Sequence, residues 1–364
     1  MRLRHPSGRI VRLSYEITPR PARRLPAVVA QLDTYAAVRT MIGADALGVS
    51  LWLPPALAAA LAVGGRTRTR LRAELDARRL EVVTLSGLSF DEDNGSPSAG
   101  GGGERDSRGD DGPDAGLAAA EPDKDVDGDR AADEGGAADE GGAADEDADG
   151  GETAGVDPGW DDPARREYTL DLARILVDLL PEDAVRGAIG TIGLVRRAGW
   201  DDAAEQASTG LLRRLSAGLA DLAWQNGRAI RVGFQPAEGY LLDSPEDIVA
   251  ALTRIDRDRL GVRLDLDHVT RAWSDPAAGI ETITDAGLSI VEVRLTAAPG
   301  PAIDSWRAAL AQLLGPDGPQ TEFLTLAGHV PDPSAKQIVA DIAYLKAELA
   351  ALGLAPENEP CAAR

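Results

Sequence analysis

The chain has 364 residues, with 38 Lys and Arg against 60 Asp and Glu, a formal net charge of −22. Such an acidic balance opposes binding to nucleic acid or to an anionic membrane through the overall field. One cysteine, Cys361, excludes a disulfide framework and a cysteine-based zinc site, and the three histidines, His5, His268 and His329, are too scattered for a three-histidine centre.

No run of about 18 apolar residues occurs, so no membrane span is expected. The basic start MRLRHPSGRI has no apolar stretch behind it and does not read as a secretory signal. The expected compartment is the cytoplasm.

In chain order, short β-branched runs alternate with longer amphipathic runs. A strand at Arg12–Thr18 precedes a helix at Pro26–Ile42. A strand at Leu47–Leu53 precedes a helix at Pro54–Arg79, with a break at Gly64-Gly65. The third strand is Leu80–Ser86.

The charge imbalance then concentrates in one place. Asp91–Pro158 holds 23 Asp and Glu against 4 Lys and Arg, whereas the remainder holds 37 against 34. The segment has 16 Gly, almost no branched aliphatics, and repeats AADEGG at 131–136 and 137–142. It cannot bury enough apolar surface to offset the entropy of ordering it, so residues 91–158 read as a disordered acidic insert. A docking role for a basic partner is the functional alternative.

Past the insert, the third helix is Pro163–Leu180, with Tyr168, Leu172, Ile175 and Leu179 on one stripe and Asp161-Asp162-Pro163 as its start signal. Strands at Ala188–Leu194, Ala229–Gln235, Val262–Asp267, Ser289–Thr296 and Glu322–Leu326 follow. They alternate with helices at Asp201–Gln225, Pro245–Leu260, Pro276–Ala286, Asp304–Leu314 and Ser334–Leu352. Eight strand–helix units point to an α/β fold, a (β/α)8 TIM barrel, with the insert on the C-terminal face after strand 3. Residues 1–90 and 159–355 then form one discontinuous barrel domain, and 356–364 a flexible tail. No glycine-rich phosphate loop favours an open doubly wound sheet.

Strand alternation sorts the side chains. Leu13, Tyr15 and Ile17 share one face, and Ser14 and Glu16 the other. Arg263, Asp265 and Asp267 oppose Val262, Leu264 and Leu266. Glu292 and Arg294 oppose Val291, Val293 and Leu295. The polar faces should point into the barrel. Glu16, Trp52, Gln235, Asp267 and Arg294 are therefore candidate ligand-binding residues at the strand ends. Asp265, His268 and Glu292 are candidate ligands for a divalent metal, since Asp-x-x-His at a strand end can aim both side chains at one cation. The alternative is a satisfied internal network in which Arg263 and Arg294 neutralise Asp265 and Glu292. No Gly-x-Ser-x-Gly elbow supports a hydrolase. Trp224, Trp273 and Trp306 fall on helices and read as packing anchors.

Several stretches resemble one known family. They are LSYEITPRP (Leu13–Pro21), ADALGVSLWLPPALAAAL (Ala44–Leu61), VVTLSGLSF (Val82–Phe90), GWDDPARREYTLDLARIL (Gly159–Leu176) and LDLDHVTRAWSDPAAGI (Leu264–Ile280). Together they resemble the EboE family of metabolite-traffic proteins, within the xylose-isomerase-like TIM-barrel superfamily. The resemblance implies a barrel that handles a small metabolite precursor alongside protein partners of the same operon. It supplies no reaction.

The chain departs from the family pattern at the site. Gln235-Pro236-Ala237-Glu238 stands where the family has Glu-Pro-Glu-Pro, and Asp267 stands where it has Cys; Asp265 and His268 are kept. The lost carboxylates favour binding without catalysis. The competing reading is a metal-dependent sugar or sugar-phosphate isomerase, epimerase or lyase. A third is a non-catalytic interaction protein working through the insert.

Overall fold

A computed structural model of the chain describes residues 1–17, 24–88, 90–91, 96–97, 158–296, 303–328, 330 and 332–357. Nearly all of the acidic insert lies outside the described residues, as do His329, Cys361 and the rest of the tail from residue 358.

β1 (Arg2–Arg4) leads into β2 (Ile10–Glu16), and β3 (Leu47–Trp52) and β4 (Leu80–Ser86) follow. After the short antiparallel pair β5 (Phe90–Asp91) and β6 (Ser96–Pro97), the strands resume at β7 (Arg186–Ile192) and β8 (Ala229–Gln235). β9 (Leu260–Asp265), β10 (Ile290–Thr296) and β11 (Phe323–Ala327) complete the set, and β12 (Ala355–Pro356) ends it. β2, β3, β4 and β7 to β11 pair in parallel, and β11 pairs with β2 to close an eight-stranded barrel. β4 pairs with β7, so the sheet is continuous across the acidic interruption. β1 and β12, which strand patterning does not anticipate, extend the sheet antiparallel outside β2.

The helices are α1 (Leu25–Met41), α2 (Pro55–Val63), α3 (Gly65–Arg78), α4 (Pro163–Leu179) and α5 (Asp202–Asn226). After them come α6 (Pro245–Leu252), α7 (Leu266–Ala272), α8 (Pro276–Asp285), α9 (Ile303–Leu313) and α10 (Ala335–Ala351). Their starts follow from local chemistry. Asp162, Asp201, Ser244 and Asp275 each accept a hydrogen bond from a first-turn amide, and Ser334 with Gln337 forms a capping box. The helix expected at residues 54–79 does break at Gly64. Among the described residues no helix is long and apolar enough to cross a membrane.

Three expectations need correction. The helix from Pro245 stops at Leu252 rather than Leu260, because the Asp256 carboxylate accepts from the amides of Asp258 and Arg259 and closes a turn there. β9 ends at Asp265 rather than Asp267, because Asp265 caps α7, a helix that periodicity does not reveal. Trp224 is 91% exposed, unlike Trp273 and Trp306. The buried stripe of α5 reaches Leu219. At about 100° per residue, a side chain five positions further along turns about 140° away from that stripe.

One side chain joins the two flanks of the interruption. Arg165, on α4 and 1% exposed, donates from Nη1 to the Gly87 carbonyl (2.9 Å) and from Nε to the Pro158 carbonyl (2.8 Å). Trp160, fully buried, packs edge-on against Phe234 and donates to Thr191 Oγ1. Arg165→Met should cost about 2–3 kcal/mol, because charged donors to buried carbonyls are lost together. Urea unfolding monitored by circular dichroism measures this, and an unchanged midpoint contradicts it.

Candidate functional site

The polar strand faces meet inside the barrel. Arg263, on β9, is completely buried. Glycine makes its seat: a Cβ on Gly190 of β7 would lie 2.6 Å from Arg263 Cδ, and one on Gly233 of β8 would lie 3.0 Å from Arg263 Cβ. Arg263 donates from Nη1 to Gln235 Oε1 (2.8 Å) and pairs with Glu292 Oε2 of β10 (3.0 Å). The other Glu292 oxygen accepts from Thr325 Oγ1 of β11 (2.5 Å).

Arg294 lies nearer the strand ends, with 13% of its side chain exposed against none for Arg263. Its Nε donates to Glu16 Oε2 and its Nη1 to Asp265 Oδ2, each at 2.8 Å. Glu16 Oε1 also faces Arg263 Nη2 at 3.6 Å. Two guanidinium groups are thus set among three buried carboxyl groups from β2, β9 and β10. Two of the five Arg294 N–H donors go to these carboxylates.

Burial alone would raise Glu16 and Asp265. Arg294 first, then Arg263, more than offsets it, and both carboxyl groups are held below their ordinary values. Burial opposes the charge of Arg294 too, yet Glu16 and Asp265 raise it above its ordinary value and keep it protonated. Asp267, by contrast, is pushed up by burial and by neighbouring Asp265. Burial holds His268 down, against the pull of Asp265 and Asp243.

Of the candidate ligand-binding residues, Glu16, Gln235 and Arg294 therefore join one network through direct or Arg263-mediated contacts. Asp267 no longer follows strand alternation, because it sits in the first turn of α7. The electrostatic influence of Arg294 still reaches it. Trp52 closes β3, half-buried, and its indole donates to the Leu88 carbonyl (3.0 Å).

The candidate metal ligands do not converge. Asp265 is occupied by Arg294 on Oδ2 and by the Asp267 amide on Oδ1. Glu292 is occupied by Thr325 and Arg263. His268 Nε2 instead approaches Asp243 Oδ1, at 3.7 Å. Among the described residues no group of three or more His, Cys, Asp and Glu is placed to hold a metal. A dication here would also meet the fixed charges of Arg263 and Arg294. These residues do not fit a divalent metal ion.

Sequence reasoning set Arg263 and Arg294 against Asp265 and Glu292, and Arg263 does pair with Glu292, but it did not foresee the glycine-lined seat of Arg263 or the part played by Asp243. The paired glycines at equivalent positions of neighbouring strands, Gly190 opposite Gly233, are the signal for Arg263. Asp243 has only the Ser-Pro helix start that follows it as a marker.

No family model matches the chain, and no curated protein matches it. Solved structures do. D-allulose 3-epimerase from Methylomonas sp. shares 12% identity over 93% of this chain and 98% of that chain, with a TM-score of 0.53. 3-Keto-D-glucoside 4-epimerase from E. coli, in its apo form, shares 12% over 93% and 99%, with a TM-score of 0.51. A xylose isomerase-like TIM barrel protein from Mycobacterium smegmatis in complex with magnesium shares 17% over 96% and 94%, with a TM-score of 0.46. At such identities the likeness is one of fold. This chain is an α/β TIM barrel.

Removing Arg294 should reverse a pH dependence. In the native protein Glu16 and Asp265 titrate below their unfolded values. Their contribution is therefore present above about pH 4 and is lost as pH falls through the folded values. In Arg294→Met burial dominates and raises them, so that variant loses stability as pH rises through the raised values. The deficit against wild type should be about 3–5 kcal/mol at neutral pH and shrink towards pH 5. Urea titrations across that range test it, and a gap independent of pH contradicts it.

Proposed function

We propose that this chain binds a small polar metabolite at the C-terminal face of its barrel, without a divalent metal, and serves in handling a metabolite precursor. The observation that carries the reading is the Arg294 guanidinium bridging Glu16 and Asp265. It supplies a permanent cation, built into the protein, among the carboxylates that a metal would need. Its remaining donors can meet a ligand oxygen, as a guanidinium fork does well. Residues from β2, β8, β9 and β10 gather there, where barrels place their sites.

Two further considerations support the reading. The structural neighbours named above include sugar epimerases, which favours a polyhydroxylated ligand. The sequence stretches that resemble the EboE family favour a role in metabolite traffic. Gln235 fits the same picture: its neutral amide serves Arg263, where a carboxylate would add a further charge to the lumen.

A thermal-shift panel of monosaccharides and sugar phosphates, run in EDTA, tests this. At least one compound should raise the melting temperature by several degrees, and adding Mn2+, Co2+ or Zn2+ at micromolar concentration should change neither that rise nor the heat seen by calorimetry. Stabilisation that appears only with metal would overturn the proposal in favour of a metal-dependent isomerase or epimerase.

A further inference from the structure

Gln235 closes β8 at the C-terminal face of the barrel and is only 7% exposed. Its amide has an oxygen that accepts and a nitrogen that donates. Arg263 decides which end points where. A guanidinium only donates, so the atom 2.8 Å from Arg263 Nη1 must be the oxygen, Oε1. The guanidinium also lies one step below Gln235. A Cβ on Gly190 would sit 2.8 Å from Arg263 Nε and 3.1 Å from Cζ, and Gly190 pairs with Gly233, two residues before Gln235 on β8. The oxygen therefore faces the barrel floor, and the amide nitrogen is turned towards the strand ends.

No described residue accepts a hydrogen bond from Gln235 Nε2, and this nitrogen is not sealed from solvent, unlike Arg263 Nη2 or the hydroxyls of Ser50 and Thr84. Arg294 offers a second donor of the same kind. Its Nε and Nη1 serve Glu16 and Asp265, whereas its Nη2 has no partner among the described residues and keeps access to solvent. These two donors stand on β8 and β10. Between them, on β9, both Asp265 oxygens are engaged, by Arg294 and by the Asp267 amide. The mouth of the lumen thus presents open donors beside an occupied acceptor.

We infer that Gln235 is a specificity-determining residue, which donates from Nε2 to a carbonyl oxygen of the ligand. The inference rests on the metabolite-binding reading and narrows its ligand class to neutral polyols that carry a carbonyl group. A carbonyl only accepts, so donors are all it requires. An alcohol at the same place would also have to place its own proton, with the Asp265 oxygens already taken. A carboxylate would bring a further negative charge to three acids that only two arginines offset. Arg263 keeps the amide from turning over, so the donor is set before the ligand arrives. A site built to hydrogen-bond one group discriminates strongly against an analogue that lacks it.

A 1H–15N NMR titration of the full chain provides the test. It follows the Gln235 side-chain amide, assigned by its loss in Gln235→Glu or, should that variant not fold, in Gln235→Met. Dihydroxyacetone against glycerol, and L-erythrulose against erythritol, set a ketone against an alcohol on chains that stay open in water. The ketones should move the signal saturably and bind at least tenfold more tightly than their alcohols. Gln235→Glu keeps an oxygen for Arg263 but turns an acceptor to the mouth, so the preference should vanish there, followed through the Arg294 Nε–H. Three results would overturn the proposal: equal affinity for ketone and alcohol, a preference kept in Gln235→Glu, or a Gln235 signal that neither ketone moves at tens of millimolar. The wild-type comparison decides by itself if the variant does not fold. None of the three alters the thermal-shift outcome in EDTA, so the narrower claim can fail while the broader one stands.

Discussion

The structure depends on how a closed barrel keeps two guanidinium groups inside it. A charge taken out of water costs several kcal/mol unless it is paired and hydrogen-bonded. Arg263 has no exposed side-chain surface at all, and Arg294 very little. Both are tolerable only because Glu16, Asp265 and Glu292 arrive from three different strands and Gln235 from a fourth. Parallel pairing places Arg294 level with Asp265, and closure through β11 brings Glu16 round to the other side. Opening the barrel at β2 and β11 would separate Arg294 from Glu16. Strand order, register and charge pairing are one constraint seen three ways.

That constraint shapes the surrounding residues. Space for Arg263 requires that β7 and β8 carry no side chain at Gly190 and Gly233. Asp265 is doubly engaged, by Arg294 and by its cap on α7. α7 in turn carries His268, whose Nε2 lies 3.7 Å from Asp243 Oδ1. A residue pair that looks in sequence like two ligands of one cation is engaged separately: Asp265 by Arg294 and the Asp267 amide, His268 beside Asp243.

Much of this was legible in the chain. The parallel strands fall within about two residues of their expected ends, because β-branched runs and capping residues mark them locally. The polar interior was legible as well, since alternation puts Glu16, Arg263, Asp265, Glu292 and Arg294 on one side. Which arginine serves which acid was not. Sequence reading could set the two arginines against Asp265 and Glu292, but Glu16 enters only when the first and last strands meet. α7 escaped notice because Leu266–Ala272 spans only two turns and follows a strand without a break. Asp243 escaped because a loop carboxylate has no periodicity to betray it. The excess of negative charge belongs mainly to residues 91–158, and says little about the barrel lumen.

The central claim is that Arg294 is held by, and holds, the lumen carboxylates. A double-mutant cycle on Arg294→Met and Glu16→Gln, followed by urea unfolding at neutral pH, measures it most directly. The account predicts a coupling energy of about 2 kcal/mol, with the double variant more stable than Arg294→Met alone because no unpaired carboxylate is left at position 16. Effects that add to within about 0.5 kcal/mol would contradict it, and would mean that the two side chains do not depend on one another.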